Sequence, residues 1–231
     1  MPLGSPHLAS MEHELLRILR SIKAPRPLLQ THAQLVAAGL AASPRLLTAL
    51  VSAALSVLSS PRHGAAALRA AGADASTVAH NTLIERLAGR GSGRGCSPED
   101  ALAAYAAMRG AGVPPNGFTF TFLLRACESL RRLPTCWCVH AQIVRCGFAG
   151  DVVVQNALIN VYYKCSDMGD VAAARQVFDE IPDRDVVSWN SIIGVYMLEM
   201  LRGQWNCLRG CRKGMSFHGT LLLLGSRGWG T

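Results

Sequence analysis

The 231-residue chain has no apolar run long enough to span a membrane. A transmembrane helix needs about 18 consecutive apolar residues, whereas the longest candidate, Leu46 to Leu58, is shorter and includes three hydroxyl side chains. Glu12 and Glu14 also interrupt the amino-terminal segment, which argues against a secretory signal. The sequence therefore predicts no membrane partner.

The residue patterns of common catalytic and metal sites are also missing. None of the eight cysteines forms a C-x-x-C pair, and there is no H-x-E, P-loop or nucleophile-elbow motif. Cys136, Cys138 and His140 cluster loosely on one predicted helix, but a structural zinc site needs about four ligands. We therefore predict no catalytic residue, metal, cofactor or small-molecule substrate, and interpret the cysteines as unpaired packing residues in a reducing compartment.

Acidic residues are scarce and unevenly distributed. The net charge of +8 favours an anionic partner, but half of it lies at 198–231, where there are five basic residues and one acidic residue. No acidic residue occurs between Leu15 and Ala73, although this segment contains seven basic residues. Such an acid-poor segment, rich in Arg, Ser and Ala, is typical of a transit peptide. A divergent helical repeat that lacks acidic residues is the alternative.

One sequence phrase occurs three times. The phrase VVQNALI at 153–159 returns as VSWNSII at 187–193, and a weaker copy, VAHNTLI, lies at 78–84. The interval from Asn156 to Asn190 is one period in the mid-thirties, and the interval from Asn81 to Asn156 is close to two periods with an insertion. A period of this length indicates stacked helical hairpins.

The best copy contains two amphipathic segments. Apolar residues recur at i, i+3, i+4, i+7 and i+8 from Val154, which predicts a first helix that continues to about Lys164. A polar turn at 165–170 precedes a second predicted helix from about Val171 to Glu180, which Pro182 terminates because proline cannot donate in a helix interior. Repetition of this unit predicts an all-α solenoid.

Three phrases carry a family resemblance: VVVQNALINVYYKC at 152–165, AARQVFDEIPDRDVVSWNSII at 173–193 and NGFTFTFLLRACESL at 116–130. They resemble the pentatricopeptide repeat family, in particular the plant PLS subgroup, which alternates repeats of different length. The resemblance is specific at 76–196, weaker at 9–75 and absent after Met197. It implies a right-handed α-solenoid of helix–turn–helix repeats, each of about 31–36 residues, in a mitochondrion or chloroplast.

The family's register divides the chain into six parts. They are an amino-terminal segment at 1–75, interpreted as a transit peptide, divergent repeats or both; a repeat at 76–116 with a Gly/Arg insertion at 89–95; a long-type repeat at 117–151; a short-type repeat at 152–185; the start of a truncated repeat at 186–197; and a non-repeat tail at 198–231, predicted to be disordered. The tail's composition favours a translated intron or a shifted reading frame, with a short divergent extension as the alternative.

The resemblance also implies one RNA base per repeat, read by the fifth and last residues of the repeat. The fifth residues are Asn81, Thr121, Asn156 and Asn190, and the last residues are Asn116, Asp151 and Asp185. By the family's code, the pair at 152–185 favours uracil, the pair at 76–116 a pyrimidine and the pair at 117–151 guanine. A helix N-cap is the alternative role for each asparagine.

The second residue of each repeat is implied to flank the bases. These residues are Val78, Phe118, Val153 and Val187, and packing between repeats is their alternative role. The resemblance implies single-stranded RNA as the partner, other organellar RNA-processing proteins as further candidates, and a role in RNA editing, splicing or processing without enzymatic activity. A cytidine-deaminase-like domain, present in the largest relatives, would need a zinc motif that this chain lacks.

Two other functions stay open on the sequence alone. Helical solenoids also bind peptides, so a protein-interaction module is the first alternative. The second is a truncated product without independent function. For RNA, three read bases at about 1–3 kcal/mol each barely exceed the cost of association, so we predict weak binding by this chain alone.

Overall fold

The computed structural model describes residues 6–41, 43–58, 61–89, 97–165 and 171–211. Within these ranges the chain forms eleven α-helices and no strand. The helices are α1 (Pro6–Ser21), α2 (Pro25–Ala37), α3 (Pro44–Val57), α4 (Pro61–Ala71), α5 (Thr77–Ala88), α6 (Pro98–Gly110), α7 (Gly117–Leu130), α8 (Leu133–Arg145), α9 (Val152–Cys165), α10 (Val171–Asp179) and α11 (Val186–Cys211).

The helices pair into hairpins that stack in chain order. The odd-numbered helices, α1 to α11, each pack on the next odd-numbered helix and form one continuous layer. Each even-numbered helix packs between the odd-numbered helix before it and the one after it, and so lies behind that layer. This arrangement confirms the predicted all-helical solenoid, in which each hairpin buries its apolar face against its neighbours.

A recurring glycine turn closes three of the even-numbered helices. Gly39, Gly112 and Gly147 follow α2, α6 and α8 with φ of 68°, 75° and 80°, a left-handed conformation that glycine adopts without steric penalty. After each glycine, the next amide donates to a carbonyl five residues earlier, as in a Schellman motif. The three bonds are Leu40 to Leu35, Val113 to Met108 and Phe148 to Ile143, at 2.9, 3.1 and 3.0 Å. The same local chemistry therefore reverses the chain in the amino-terminal segment and in the repeats.

The hydrophobic core runs without interruption along the odd-numbered layer. Each of its helices contributes an aliphatic side chain at the same register position, and all of these are buried: Leu15, Leu50, Leu83, Leu123, Leu158 and Ile192. Truncation of a buried leucine to alanine typically costs about 2–5 kcal/mol, since apolar contact is lost and a cavity is left. The core therefore holds the amino-terminal hairpins and the repeats in one stack.

The tail differs from its prediction over its first residues. Helix α11 continues through 198–211, whereas the sequence pattern predicted that regular structure would end near Leu198. This segment contains no proline, and a helix that has already begun extends at little further cost. The rest of the tail and the Gly/Arg insertion after Gly89 lie outside the described residues.

Three of the cysteines support the packing interpretation. Cys127, Cys136 and Cys165 are buried and unpaired in the odd-numbered layer and on α8. Burial raises the pKa of the Cys127 thiol to about 12 and also raises the pKa of Cys136 and Cys165, so these thiols stay protonated. No helix in the described part of the chain is both long and apolar enough to cross a membrane.

Candidate nucleic-acid interface

Four large apolar side chains are exposed at the second position of successive odd-numbered helices. Val78, Phe118, Val153 and Val187 expose 61%, 68%, 64% and 56% of their surface. They follow the first residues of α5, α7, α9 and α11, so they occur at equal register along one layer. Their exposure disfavours the alternative role in packing between repeats. We call these four residues the apolar row.

The fifth residues lie one helical turn beyond the apolar row. Residues three apart are neighbours on a helix surface, so each fifth residue lies beside its second residue. Asn81 and Asn156 are only 7% and 6% exposed, whereas Thr121 is half-buried and Asn190 is exposed. This surface of the odd-numbered layer thus combines an apolar row with a polar one.

Asn81 and Asn116 are distant in sequence but adjacent in the fold. The Asn81 side-chain amide donates to Asn116 Oδ1 at 3.0 Å. Asn116 also caps α7, because its Oδ1 accepts from the Thr119 amide at 3.1 Å. The buried Thr119 hydroxyl donates to Asn81 Oδ1 at 2.7 Å, which joins the three side chains in one network. Both oxygens of the two asparagines therefore have donors within the protein.

Asn156 and Asp185 are also brought together, in a looser arrangement. The Asn156 amide donates to Asp185 Oδ1 at 3.3 Å. Asp185 caps α11 by accepting from the Ser188 amide and hydroxyl at 2.7 and 2.8 Å. These hydrogen bonds, the backbone one foremost, hold the pKa of Asp185 below its ordinary value, so the carboxylate is ionised at neutral pH. Asn156 Oδ1 is buried and has no donor among the described residues.

Thr121 and Asp151 make different contacts. The Thr121 hydroxyl donates to the Phe118 carbonyl at 2.9 Å, within its own helix. Asp151 Oδ1 caps α9 by accepting from the Val153 and Val154 amides at 2.9 and 3.2 Å. Asp151 Oδ2 lies so close to Gly117 that a Cβ at that position would be 2.6 Å away. Glycine at the start of α7 therefore leaves room for the Asp151 carboxylate.

The predicted pairs contain three asparagines, and the alternative role of helix N-cap is correct for one of them and wrong for the other two. Asn116 caps α7. Asn81 lies inside α5, whose N-cap is Ser76, and Asn156 lies inside α9, which Asp151 caps. The polar side chains of Asn81 and Asn156 are therefore not needed to begin a helix.

Two hydroxyl residues at the third position of a repeat belong to the polar pairs and were missed by the sequence analysis. Thr119 joins the Asn81–Asn116 pair, and Ser188 joins the Asn156–Asp185 pair. The sequence carries a signal for both, because Asn116 and Asp185 are each followed three residues later by a hydroxyl residue. That spacing resembles a capping box, in which cap and third residue bond reciprocally.

The described residues contain no group of three or more His, Cys, Asp or Glu side chains able to hold a metal ion. On α8, Cys136 is buried and Cys138 is exposed, so they occupy different faces. His140 Nδ1 lies 2.7 Å from the Tyr162 hydroxyl of α9, and burial lowers the pKa of His140, which favours its neutral form. This histidine therefore packs α8 against α9.

The stacked helical hairpins define a helical-repeat protein, and one surface of its odd-numbered layer carries both polar and apolar side chains. Known proteins resemble it. No protein-family model matches the chain. A pentatricopeptide repeat-containing protein of Arabidopsis thaliana is 33% identical over 184 residues, which is 80% of this chain and 35% of that relative. Another, whose name includes the term chloroplastic, is 42% identical over 124 residues, 54% of this chain and 22% of the relative.

A third Arabidopsis protein with the same family name is described as chloroplastic/mitochondrial. It is 42% identical over 119 residues, 51% of this chain and 18% of the relative. The chain is thus homologous to plant pentatricopeptide repeat proteins, and it spans about a fifth to a third of the length of these curated relatives.

Proposed function

We propose that this chain is a pentatricopeptide repeat protein of the PLS subgroup that binds single-stranded RNA in a mitochondrion or chloroplast. Each repeat contacts one base through its fifth and last residues. The protein acts as a specificity factor in RNA editing, splicing or processing and performs no chemistry of its own. Relatives whose names include the terms chloroplastic or chloroplastic/mitochondrial support the proposed organelle.

The contact between fifth and last residues carries this proposal. In two repeats these residues lie 35 and 29 positions apart in sequence, yet their side chains are within hydrogen-bonding distance. An amide offers both donors and an acceptor, and a carboxylate offers acceptors, so each pair presents a compact set of groups to one base edge. Helical repeats that read RNA use two or three side chains per base in this way.

The apolar row supports the same ligand. Apolar and aromatic side chains stack on the faces of bases, and this contact tolerates any base. Phe118 is the most exposed member of the row, and Val78 and Val153 lie at the same register on its neighbouring helices. A base bound to a polar pair would therefore lie between two exposed apolar side chains.

We further propose that helices α1 to α4 act as part of the solenoid rather than as a removable leader. Helix α3 packs against α5, and its Leu50 and Val51 belong to the same buried core as Leu83 and Ile84. Removal of the amino-terminal hairpins would expose this apolar face of α5 to water at a cost of about 25 cal/mol per Å². Limited proteolysis of the full chain, followed by mass spectrometry, tests whether this segment is protected.

Selection from a randomised single-stranded RNA pool, with the full chain at low salt, tests base reading. We expect enrichment of a short motif that contains pyrimidines, and a loss of affinity of about tenfold or more in the variant Asn156→Ala/Asp185→Ala, since each base contact is worth about 1–3 kcal/mol. Binding of wild-type protein should remain weak, with Kd above the micromolar range.

Gln176 and Glu180 supply a matched control for this variant. They form an exposed amide–carboxylate pair at the end of α10, which Glu180 directly follows, with 3.1 Å between Gln176 Nε2 and Glu180 Oε1, outside the odd-numbered layer. The variant Gln176→Ala/Glu180→Ala should enrich the same motif as wild type. Enrichment of an unchanged motif by the Asn156/Asp185 variant, from protein that is folded by circular dichroism, would contradict base reading and favour the protein-interaction alternative.

A further inference from the structure

A groove of about 720 Å³ lies at the amino-terminal end of the odd-numbered layer. Its floor is α3, and α1 and α5 form its walls. It contains Val78, the first member of the apolar row, so the groove continues the proposed RNA surface beyond α5. None of the base contacts predicted from the sequence lies on α1 or α3.

Two arginines, one from α1 and one from α3, line this groove. Arg20 and Arg45 are exposed, and neither forms a hydrogen bond or ion pair within the described part of the chain. Arg17, on the same helix as Arg20, is by contrast paired with Glu14 at 2.6 Å. None of the residues that line the groove is acidic. The groove therefore presents two uncompensated positive charges to a ligand.

Arg45 occupies on α3 the register position that the apolar row occupies on the later odd-numbered helices. Arg45 is the second residue of α3, as Val78 is of α5, and the buried residues Leu47 and Leu50 match the buried His80 and Leu83 in register. The helix that carries Arg45 thus presents a cation where the following helices present an apolar side chain. A guanidinium binds phosphate oxygens bidentately and also stacks on bases.

Five hydroxyl side chains also line the groove. They belong to Thr48, Ser52, Ser56, Ser76 and Thr82. The Thr48 and Thr82 hydroxyls donate to carbonyls of their own helices, at 2.7 and 2.9 Å, which leaves their oxygen lone pairs to accept from a ligand. The groove therefore combines anion-binding cations with acceptors for sugar hydroxyl or base amino groups.

We propose that Arg20 and Arg45 bind the phosphate backbone of the same single-stranded RNA, at a nucleotide adjacent to the one held at Asn81. This inference rests on the proposed function and deepens it, since it extends the RNA path across α3 to α1. The subsite contributes affinity and salt dependence rather than base selection, because phosphate contacts carry no sequence information.

Salt-dependent binding of the full chain to a fluorescein-labelled single-stranded RNA that contains the enriched motif tests the proposal. The variant Arg20→Gln/Arg45→Gln should bind about tenfold more weakly at low salt. Its slope of log affinity against log salt should fall by about 1.4, because each single-strand phosphate contact contributes about 0.7. The enriched motif should not change.

Arg26 and Arg62 provide the matched control. They are exposed on α2 and α4, outside the odd-numbered layer, and Arg26→Gln/Arg62→Gln removes the same net charge. Equal losses in the two double variants would overturn the subsite, while motif loss in the Asn156/Asp185 variant would still support the proposed function. Absence of RNA binding by the wild-type chain at low salt would overturn both.

Inorganic phosphate separates an RNA subsite from a general anion site. Nuclear magnetic resonance of the arginine side-chain Nε–H groups should show Arg20 and Arg45 shifts with RNA at micromolar to millimolar concentrations. If inorganic phosphate at the same phosphate concentration produces equal shifts, the groove is a free-anion site and the assignment to RNA is wrong.

Discussion

The amino-terminal hairpins, α1 to α4, and the hairpins from α5 onward share a core but differ along the groove. Leu50 and Leu83 occupy the same register and are both buried. The second residue, however, is Arg45 on α3 and Val78 on α5, and the fifth is Thr48 and Asn81. Stacking constrains side chains that are buried against another helix, whereas the second residue, exposed both in Arg45 and in Val78, escapes that constraint. The fold and the surface chemistry of this solenoid can therefore vary separately.

The largest effect should come from breaking the shared core in each region. Both Leu50 and Leu123 are buried in the same layer. Leu50→Ala and Leu123→Ala should therefore each lower the free energy of unfolding by about 2–5 kcal/mol. Urea denaturation followed by circular dichroism at 222 nm measures this loss. The control is Val78→Ala, since substitution of an exposed side chain should change the free energy of unfolding by less than about 0.5 kcal/mol.

A smaller difference should separate the two polar pairs. Asn81→Ala removes two hydrogen bonds of a buried network, the one that Asn81 donates to Asn116 and the one that it accepts from the Thr119 hydroxyl, and should cost about 1–2 kcal/mol of unfolding free energy. Asn156→Ala removes one long hydrogen bond together with a buried acceptor that has no donor, so its cost should be below about 1 kcal/mol. Urea denaturation of both variants gives the comparison, and equal losses would show that the Thr119 network adds no stability.

The smallest effect should appear at acid pH and concerns the Asp185 cap. The pKa of Asp185 is lower in the folded protein than its ordinary value of 3.8. Its carboxylate therefore stabilises the fold above pH 3.8, and this contribution disappears as the pH falls through the folded pKa. The Tm of wild type should fall more steeply than that of Asp185→Asn between about pH 5 and pH 2.5. Parallel Tm curves for the two proteins would contradict this role. Other groups that titrate in this pH range, the buried histidines included, are the same in both proteins and cancel in the comparison.

Several features of the fold could be predicted from local sequence. The apolar stripe from Val154 predicts a first helix to Lys164, and the structure places α9 at Val152–Cys165. Pro182 follows α10 as expected, since helix geometry depends on neighbouring residues. The extent of α11 was not predictable in the same way, because its continuation to Cys211 contains no proline but also has no long apolar stripe to indicate a helix.

The candidate site was predictable only in part. The phrase repeat locates Asn81, Asn156 and their last-position partners, and the structure brings two of the three predicted pairs into contact. The sequence did not indicate that the Thr121 hydroxyl bonds within its own helix while Asp151 caps α9 beside Gly117. Which partner a polar side chain bonds to depends on its rotamer and on the space that neighbouring helices leave around it.

The sequence by itself determined the hairpins, their period and the register of the core, because apolar periodicity, proline and glycine act on residues close in the chain. Tertiary structure decided which buried polar groups have hydrogen-bond partners and which charged side chains line the same groove. Thr119 bonds to Asn81, whereas Ser188 bonds to Asp185 and leaves the Asn156 oxygen without a donor. Arg20 and Arg45 line one groove because α1 stacks on α3, and two arginines so far apart in sequence carry no local signal that they share it.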